Sequence, residues 1–328
     1  MIRLKGLFFK IAKLLKDSGK GFADDKVPKL SGSLAYYTIF SMGPLLLIII
    51  TMCSFFFGRE AVEGRVYTQL EGFVGSDTAA QLQQIIKNAS LSGKTAAAST
   101  IGAIALLIGA TSVFAEMQDS INMIWGLKAK PKKGWLKFLQ NRFLSFSVII
   151  GLGFLLLVSL AIATVLEAFG DYLKQRFPDI TIVLFYIINL VITVGITCFI
   201  FAIIFRVLPD AKIRWKDVLA GAITTTFLFL LGKFGISFYI SKNHIGATYG
   251  PAGSLVVLVL WVYYSAIILY FGAEFTKAYA VQYGRPIYPS EYAVTVEQVE
   301  VEKGKMSLQE KESRKEDRET VIKEASKD

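Results

Sequence analysis

Residues 254–275 read SLVVLVLWVYYSAIILYFGAEF, an apolar run whose only charged residue, Glu274, comes at its end. That length matches the roughly 18 to 25 apolar residues that carry an α-helix across about 30 Å of hydrocarbon. Five further stretches of the same kind occupy residues 33–57, 98–115, 143–166, 180–205 and 218–240. Lipid offers no partner to a backbone N–H or C=O, so only helices and closed barrels span a bilayer. These runs are continuously apolar where barrel strands alternate. The expected fold is therefore all-α, a polytopic membrane protein with six transmembrane helices.

The loops between the stretches alternate in charge. The first 30 residues carry Arg3, Lys5, Lys10, Lys13, Lys16, Lys20, Lys26 and Lys29, the second loop Lys128 to Arg142, and the fourth Arg206, Lys212, Arg214 and Lys216. The third loop balances Lys174 and Arg176 against Glu167, Asp171 and Asp179, and the fifth has only Lys242 and His244. By the positive-inside bias the first set is cytoplasmic, which predicts a multi-pass membrane protein with both termini in the cytoplasm. The formal net charge of +10 does not suggest nucleic acid, because the basic residues are spread beside apolar spans. Anionic lipid headgroups at the cytoplasmic face are the expected partners.

Three regions follow: a cytoplasmic leader (1–30), a transmembrane domain (31–283) with a large outer loop at about 58–97, and a charged tail (284–328). The tail is rich in Lys, Glu, Ser and Arg and too poor in apolar residues to bury a core, so it reads as disordered or as a short surface helix. In the leader, Leu4, Leu7, Phe8, Ile11, Leu14 and Leu15 recur at helical spacing opposite Arg3, Lys10 and Lys13. This is the pattern of an amphipathic helix lying on the inner leaflet or packed on the bundle; no cleavable signal peptide is recognised. In the outer loop, Val66, Leu70, Phe73 and Val74 form one apolar face and Leu82, Ile85 and Ile86 another, with Gly72, Gly75 and Ser76 between them. Two short amphipathic helices fit, capping the bundle, lying on the outer leaflet or receiving an envelope protein partner. Cys53 and Cys198 both fall inside spans and read as buried free thiols.

Polar residues inside the spans are the candidate site. Lys233 lies within the fifth span, past the bilayer centre, where an ammonium must snorkel, pair or meet water. Glu116 and Asp119 close the second span with Gln118 and Asn122 beside them, and Glu274 closes the sixth. These acids fit a lattice of ion pairs with Lys128, Arg142, Arg206 or Lys277, or a proton or cation relay. Asn189, Thr193 and Thr197 form a stripe in the fourth span that suits interhelical hydrogen bonding. Gly43 and Pro44 are expected to break the first span, because proline lacks the backbone donor. Gly102 to Gly109, and Gly151 with Gly153, would allow close helix approach, and the run from Gly246 to Gly253 reads as a tight turn or a re-entrant loop.

Leu34 to Pro44 (LAYYTIFSMGP), Phe114 to Gly126 (FAEMQDSINMIWG), Leu208 and Pro209 before Trp215 and Lys216, Gly221 with Ala222, Lys233 with Tyr239, and Tyr249 through Trp261 and Tyr263 to Glu274 occur in one order. Together they resemble the YihY/BrkB family of bacterial inner-membrane proteins over about residues 20–283. The resemblance implies a six-helix membrane protein and brings no settled catalytic residues. A ribonuclease label once attached to the family meets an obstacle here. RNA hydrolysis needs clustered His and carboxylates, or paired His, and this chain has one histidine, His244, in an outer loop. No phosphate-cradling GxxxxGK[ST] occurs either.

An enzyme is therefore not expected, nor a cofactor, metal or catalytic residue. The expected function is transport or handling of a lipid or anionic amphiphile through a membrane-embedded cavity, with Lys233, Asn189, Tyr239, Glu116, Asp119 and Glu274 as candidate cavity residues. The alternative is a non-catalytic scaffold of the cell envelope. Oligomeric state leaves no mark in the sequence.

Overall fold

A computed structural model of the chain describes residues 2–74, 76–90, 96–129, 178–242, 252–290 and 293–296. Its helices are α1 (Ile2–Asp24), α2 (Val27–Phe57), α3 (Arg59–Val74), α4 (Ser76–Ser90), α5 (Ala96–Ile124), α6 (Pro178–Val207), α7 (Trp215–Lys242) and α8 (Gly253–Tyr283). Strands β1 (Leu127–Ala129) and β2 (Ala293–Thr295) pair antiparallel, with Lys128 opposite Val294. Segments Leu190–Val207, Trp215–Ile236 and Gly253–Tyr283 are each long and apolar enough to cross a membrane. Helices α2 and α5, of 31 and 29 residues, cover the first two expected spans. The third expected span, the fifth loop with His244, and the tail beyond residue 296 lie outside the described residues.

Local chemistry sets the joints. Lys26 is left-handed at φ 53° and turns α1 into α2, whose first turn accepts Pro28 because the missing N–H would have been unpaired there. Gly58, at φ 78°, closes α2 with its N–H on the Ser54 carbonyl (3.0 Å), a conformation that costs a glycine little. The break expected at Gly43 and Pro44 is not seen: α2 runs through both positions as one helix. Pro44 removes a single backbone hydrogen bond, and α5 and α8 pack along α2 to hold the rest in line.

The main core joins α2, α5, α6, α7 and α8 through Leu34, Phe114, Ile121, Phe205, Val218 and Tyr270. Across α6, α7 and α8, the rings of Phe201, Phe229 and Trp261 meet edge to face at 5.7 and 6.1 Å. At one end, Leu82 of α4 packs with Ile236, Val257 and Trp261, Val62 of α3 packs with Ile50, and the Ser254 hydroxyl donates to Gln81.

The opposite end collects the joints that sequence assigns to the cytoplasm. There the α6–α7 turn is fastened to the chain after α8: the Lys212 N–H donates to the Tyr288 carbonyl (3.0 Å) and the Ser290 N–H to the Asp210 carbonyl (2.9 Å). Residues 285–290 and β2 thus belong with the body, and the chain divides between Met1–Thr295 and Val296–Asp328.

Candidate functional site

The α7–α8 contact is built on a reciprocal pair of Gly-x-x-x-Thr sequences. A methyl on Gly221 of α7 would overlap the Thr276 hydroxyl of α8, and one on Gly272 of α8 would overlap that of Thr225 on α7. Each threonine donates its hydroxyl to the carbonyl of the glycine four residues earlier in its own helix, at 2.7 Å in both cases. Small residues thus bring the backbones close while the hydroxyls stay satisfied without water, as helix packing in lipid demands. Gly232 continues the seam against Tyr264.

Lys233 follows Gly232 directly. Its helical face carries buried Ala222, buried Thr226 and Phe229, whereas Ile223, Phe227, Leu231 and Phe234 form the exposed apolar stripe. Lys233 is half-buried on the shoulder of the packed face. Tyr239, one and a half turns on, is exposed. Asn189 falls on α6, but its side chain lies outside the description. The Thr197 hydroxyl of that stripe donates to the Thr193 carbonyl of its own helix (2.8 Å).

The acids separate into three environments. Glu274 is 2% exposed and abuts Gly21 of α1, where a methyl would overlap its carboxylate. Lys277 Nζ lies 3.3 Å from Asp25 Oδ2 and 3.9 Å from Glu274 Oε2, so one cation serves both acids. Glu274 Oε1, Tyr270 Oη and Ser31 Oγ are buried without a well-formed hydrogen bond. Buried Ser120 and half-buried Glu116, both on α5, lie close enough to act on the Tyr270 hydroxyl. Asp119 points to the exposed side of α5. Sequence named Lys277 as a neutralising partner for Glu274; it missed Asp25, Gly21 and Tyr270, whose roles depend on α1 docking along α8.

The most complete polar cluster among these residues is centred on Asp210, which sequence reasoning did not single out. Asn122 donates to Asp210 Oδ2 (2.9 Å), Gln118 to Oδ1 (3.3 Å), and the Asp210 N–H returns a bond to Asn122 Oδ1 (2.8 Å). Gln118 and Asn122 are buried, and the residues between α6 and α7 are thereby clamped to α5. The visible signal was two amides a helical turn apart beside Glu116, and a proline preceding the acid in the turn. Among the described residues no group of three His, Cys, Asp or Glu side chains could hold a metal.

Helices that cross a bilayer, joined at one end by polar clamps, define a multi-pass helical membrane protein. The profile of the family described as Virulence factor BrkB matches residues 19–292, and the chain belongs to that family. It is similar to a UPF0761 membrane protein of Alteromonas mediterranea, 26% identical over 282 residues that cover 84% of this chain and 91% of the relative. A UPF0761 membrane protein of Prosthecochloris aestuarii is 27% identical over 273 residues, 80% of this chain and 60% of the relative. One from Tolumonas auensis is 26% identical over 77% of this chain and 80% of its own length. No solved structure matches the chain.

Proposed function

We propose that this six-span protein of the inner membrane, with both termini in the cytoplasm, handles a lipid or anionic amphiphile whose headgroup meets Lys233. The observation that carries this reading is that Lys233 stands on the packed shoulder of α7 and not in the stripe of Phe227, Leu231 and Phe234. Lys233 is 18 residues beyond Trp215, about 27 Å along the helix, which puts it toward the far edge of a bilayer whose near edge is at Trp215. A cation there, beside a helix seam, suits a phosphate or carboxylate headgroup. Lys233→Met keeps much of the stem and removes the charge. The variant is expected to fold and accumulate normally, to lose co-purifying lipid, and to fail to complement a deletion strain. Full complementation with unchanged lipid content would remove the site.

A second reading, a non-catalytic envelope scaffold, is favoured by the interlocked α7–α8 seam and the Asp210 clamp, which make a stiff bundle that needs no alternating states. It predicts wild-type behaviour for Lys233→Met and loss of a protein partner when exposed residues of α3 or α4 are changed.

A further inference from the structure

We propose that the α6–α7 joint is a binding site for an anionic phospholipid headgroup, held by Arg206, Arg214 and Lys216 around Trp215. Arg206 ends one apolar span and Trp215 begins the next, so both lie at the same face of the bilayer. Trp215 is 50% exposed although it opens a helix whose opposite face is buried, and indole rings in such positions sit at headgroup level. The Arg206 guanidinium lies over that ring, 5.9 Å from its centroid, which holds the planar fork in place while leaving its edge N–H groups for a phosphate. Arg214 and Lys216, exposed on either side of Trp215, add two more cations. None of the three makes an ion pair with a carboxylate among the described residues.

The neighbouring acids form no ion pair with these cations among the described residues. Asp210 is engaged by Gln118 and Asn122, and Asp217 is buried on the inner side of α7. Leu219 and Ile223 continue from Trp215 into the hydrocarbon as exposed apolar residues, a surface for acyl chains below a phosphate. A basic patch at the rim of the spans, with an aromatic ring beside it and an apolar stripe under it, matches a phospholipid and not a soluble anion. This site is at the opposite membrane edge from Lys233 and does not depend on that reading.

The test uses the full-length protein in phosphatidylcholine bilayers containing phosphatidylglycerol, with brominated chains placed on one lipid or the other. Subtracting the emission of Trp215→Phe from that of the wild type isolates Trp215. Its quenching is expected to report a preference of roughly five- to tenfold for phosphatidylglycerol. The triple variant Arg206→Gln/Arg214→Gln/Lys216→Gln, and in part the exposed single variant Lys216→Gln, should bring the preference toward unity. Equal quenching by the two lipids in the wild type would overturn the proposal, as would a preference that survives the triple variant in protein of native helicity. Displacement of the brominated lipid by millimolar glycerol 3-phosphate would also overturn it, by assigning the cations to a soluble phosphate ester.

Discussion

Gly221 and Gly272 are positions where one methyl group decides how closely two helices approach. In lipid the hydrophobic effect does not press helices together, so the α7–α8 contact rests on dispersion and on close backbone approach. At Gly221 the obstruction includes the Thr276 Cα at 3.3 Å as well as its hydroxyl, so a rotamer change alone does not make room. Gly221→Ala is expected to cost about 1 to 3 kcal/mol, as overpacking does, and to lower the thermal midpoint measured in detergent. Adding Thr276→Ala should recover part of that loss, because the two changes share one contact and couple. Gly235, on the same helix with nothing within 4 Å of an added Cβ, provides the control, and Gly235→Ala should melt like wild type. If the Gly221 and Gly235 variants melted alike, the seam would not be the contact that holds α7 to α8.

Helix α1 docks lengthwise against the end of α8. Phe22 meets Phe271 at 6.2 Å between ring centroids, Gly21 abuts Glu274, and Lys10 lies over the Tyr283 ring at 5.6 Å, so the two helices run in opposite directions. Among the described side chains of α1, Leu14 and Ser18 are buried, while Ile11 and Leu15 stay 46% and 45% exposed. Sequence exposed the periodic apolar face of α1 but not which part of it packs. The contact uses Leu14 with a serine and a glycine, and small residues leave no hydropathy signal. The two amides of the Asp210 clamp were visible in the sequence, but not their pairing with Asp210, which lies 88 and 92 residues away. Helix length and apolarity, being properties of each segment alone, were legible for α2, α5, α6, α7 and α8. Lys277 and Glu274 are three residues apart on one helix and were legible as a pair, whereas Asp25 reaches them only through tertiary docking, 252 residues from Lys277 in the chain. Replacing Gly21 with Val should therefore push Glu274 aside and loosen α1. Trypsin should then cleave faster after exposed Lys13, Lys16 or Lys20 than in wild type, with membrane insertion unchanged. Unchanged cleavage would show that the Gly21–Glu274 contact does not control docking.

At the scale of the molecule, two ends are distinguishable without reference to a membrane. One end joins the α6–α7 turn to α5 through Asp210, to the chain after α8 through Tyr288 and Ser290, and carries the β1–β2 pair. The other packs α3 and α4 against the end of α2 and the start of α8. Because the groups at the first end are bonded to one another, Lys128, Lys212 and Thr295 must share one side of the bilayer whatever its identity. Ser76 of α4 must lie on the other if the helices between them span. The Lys and Arg bias of the loops at the first end predicts that this side is the cytoplasm. In a background of Cys53→Ser and Cys198→Ser, a membrane-impermeant maleimide applied to spheroplasts should label Ser76→Cys and spare Lys128→Cys, Lys212→Cys and Thr295→Cys. All four should label once the membrane is permeabilised. A split among the three grouped positions would contradict the clamped end itself, whereas inverted labelling of all four would keep the architecture and reverse only the orientation. The experiment thus separates the packing, which rests on hydrogen bonds at 2.8 to 3.0 Å, from the topology, which rests on charge alone.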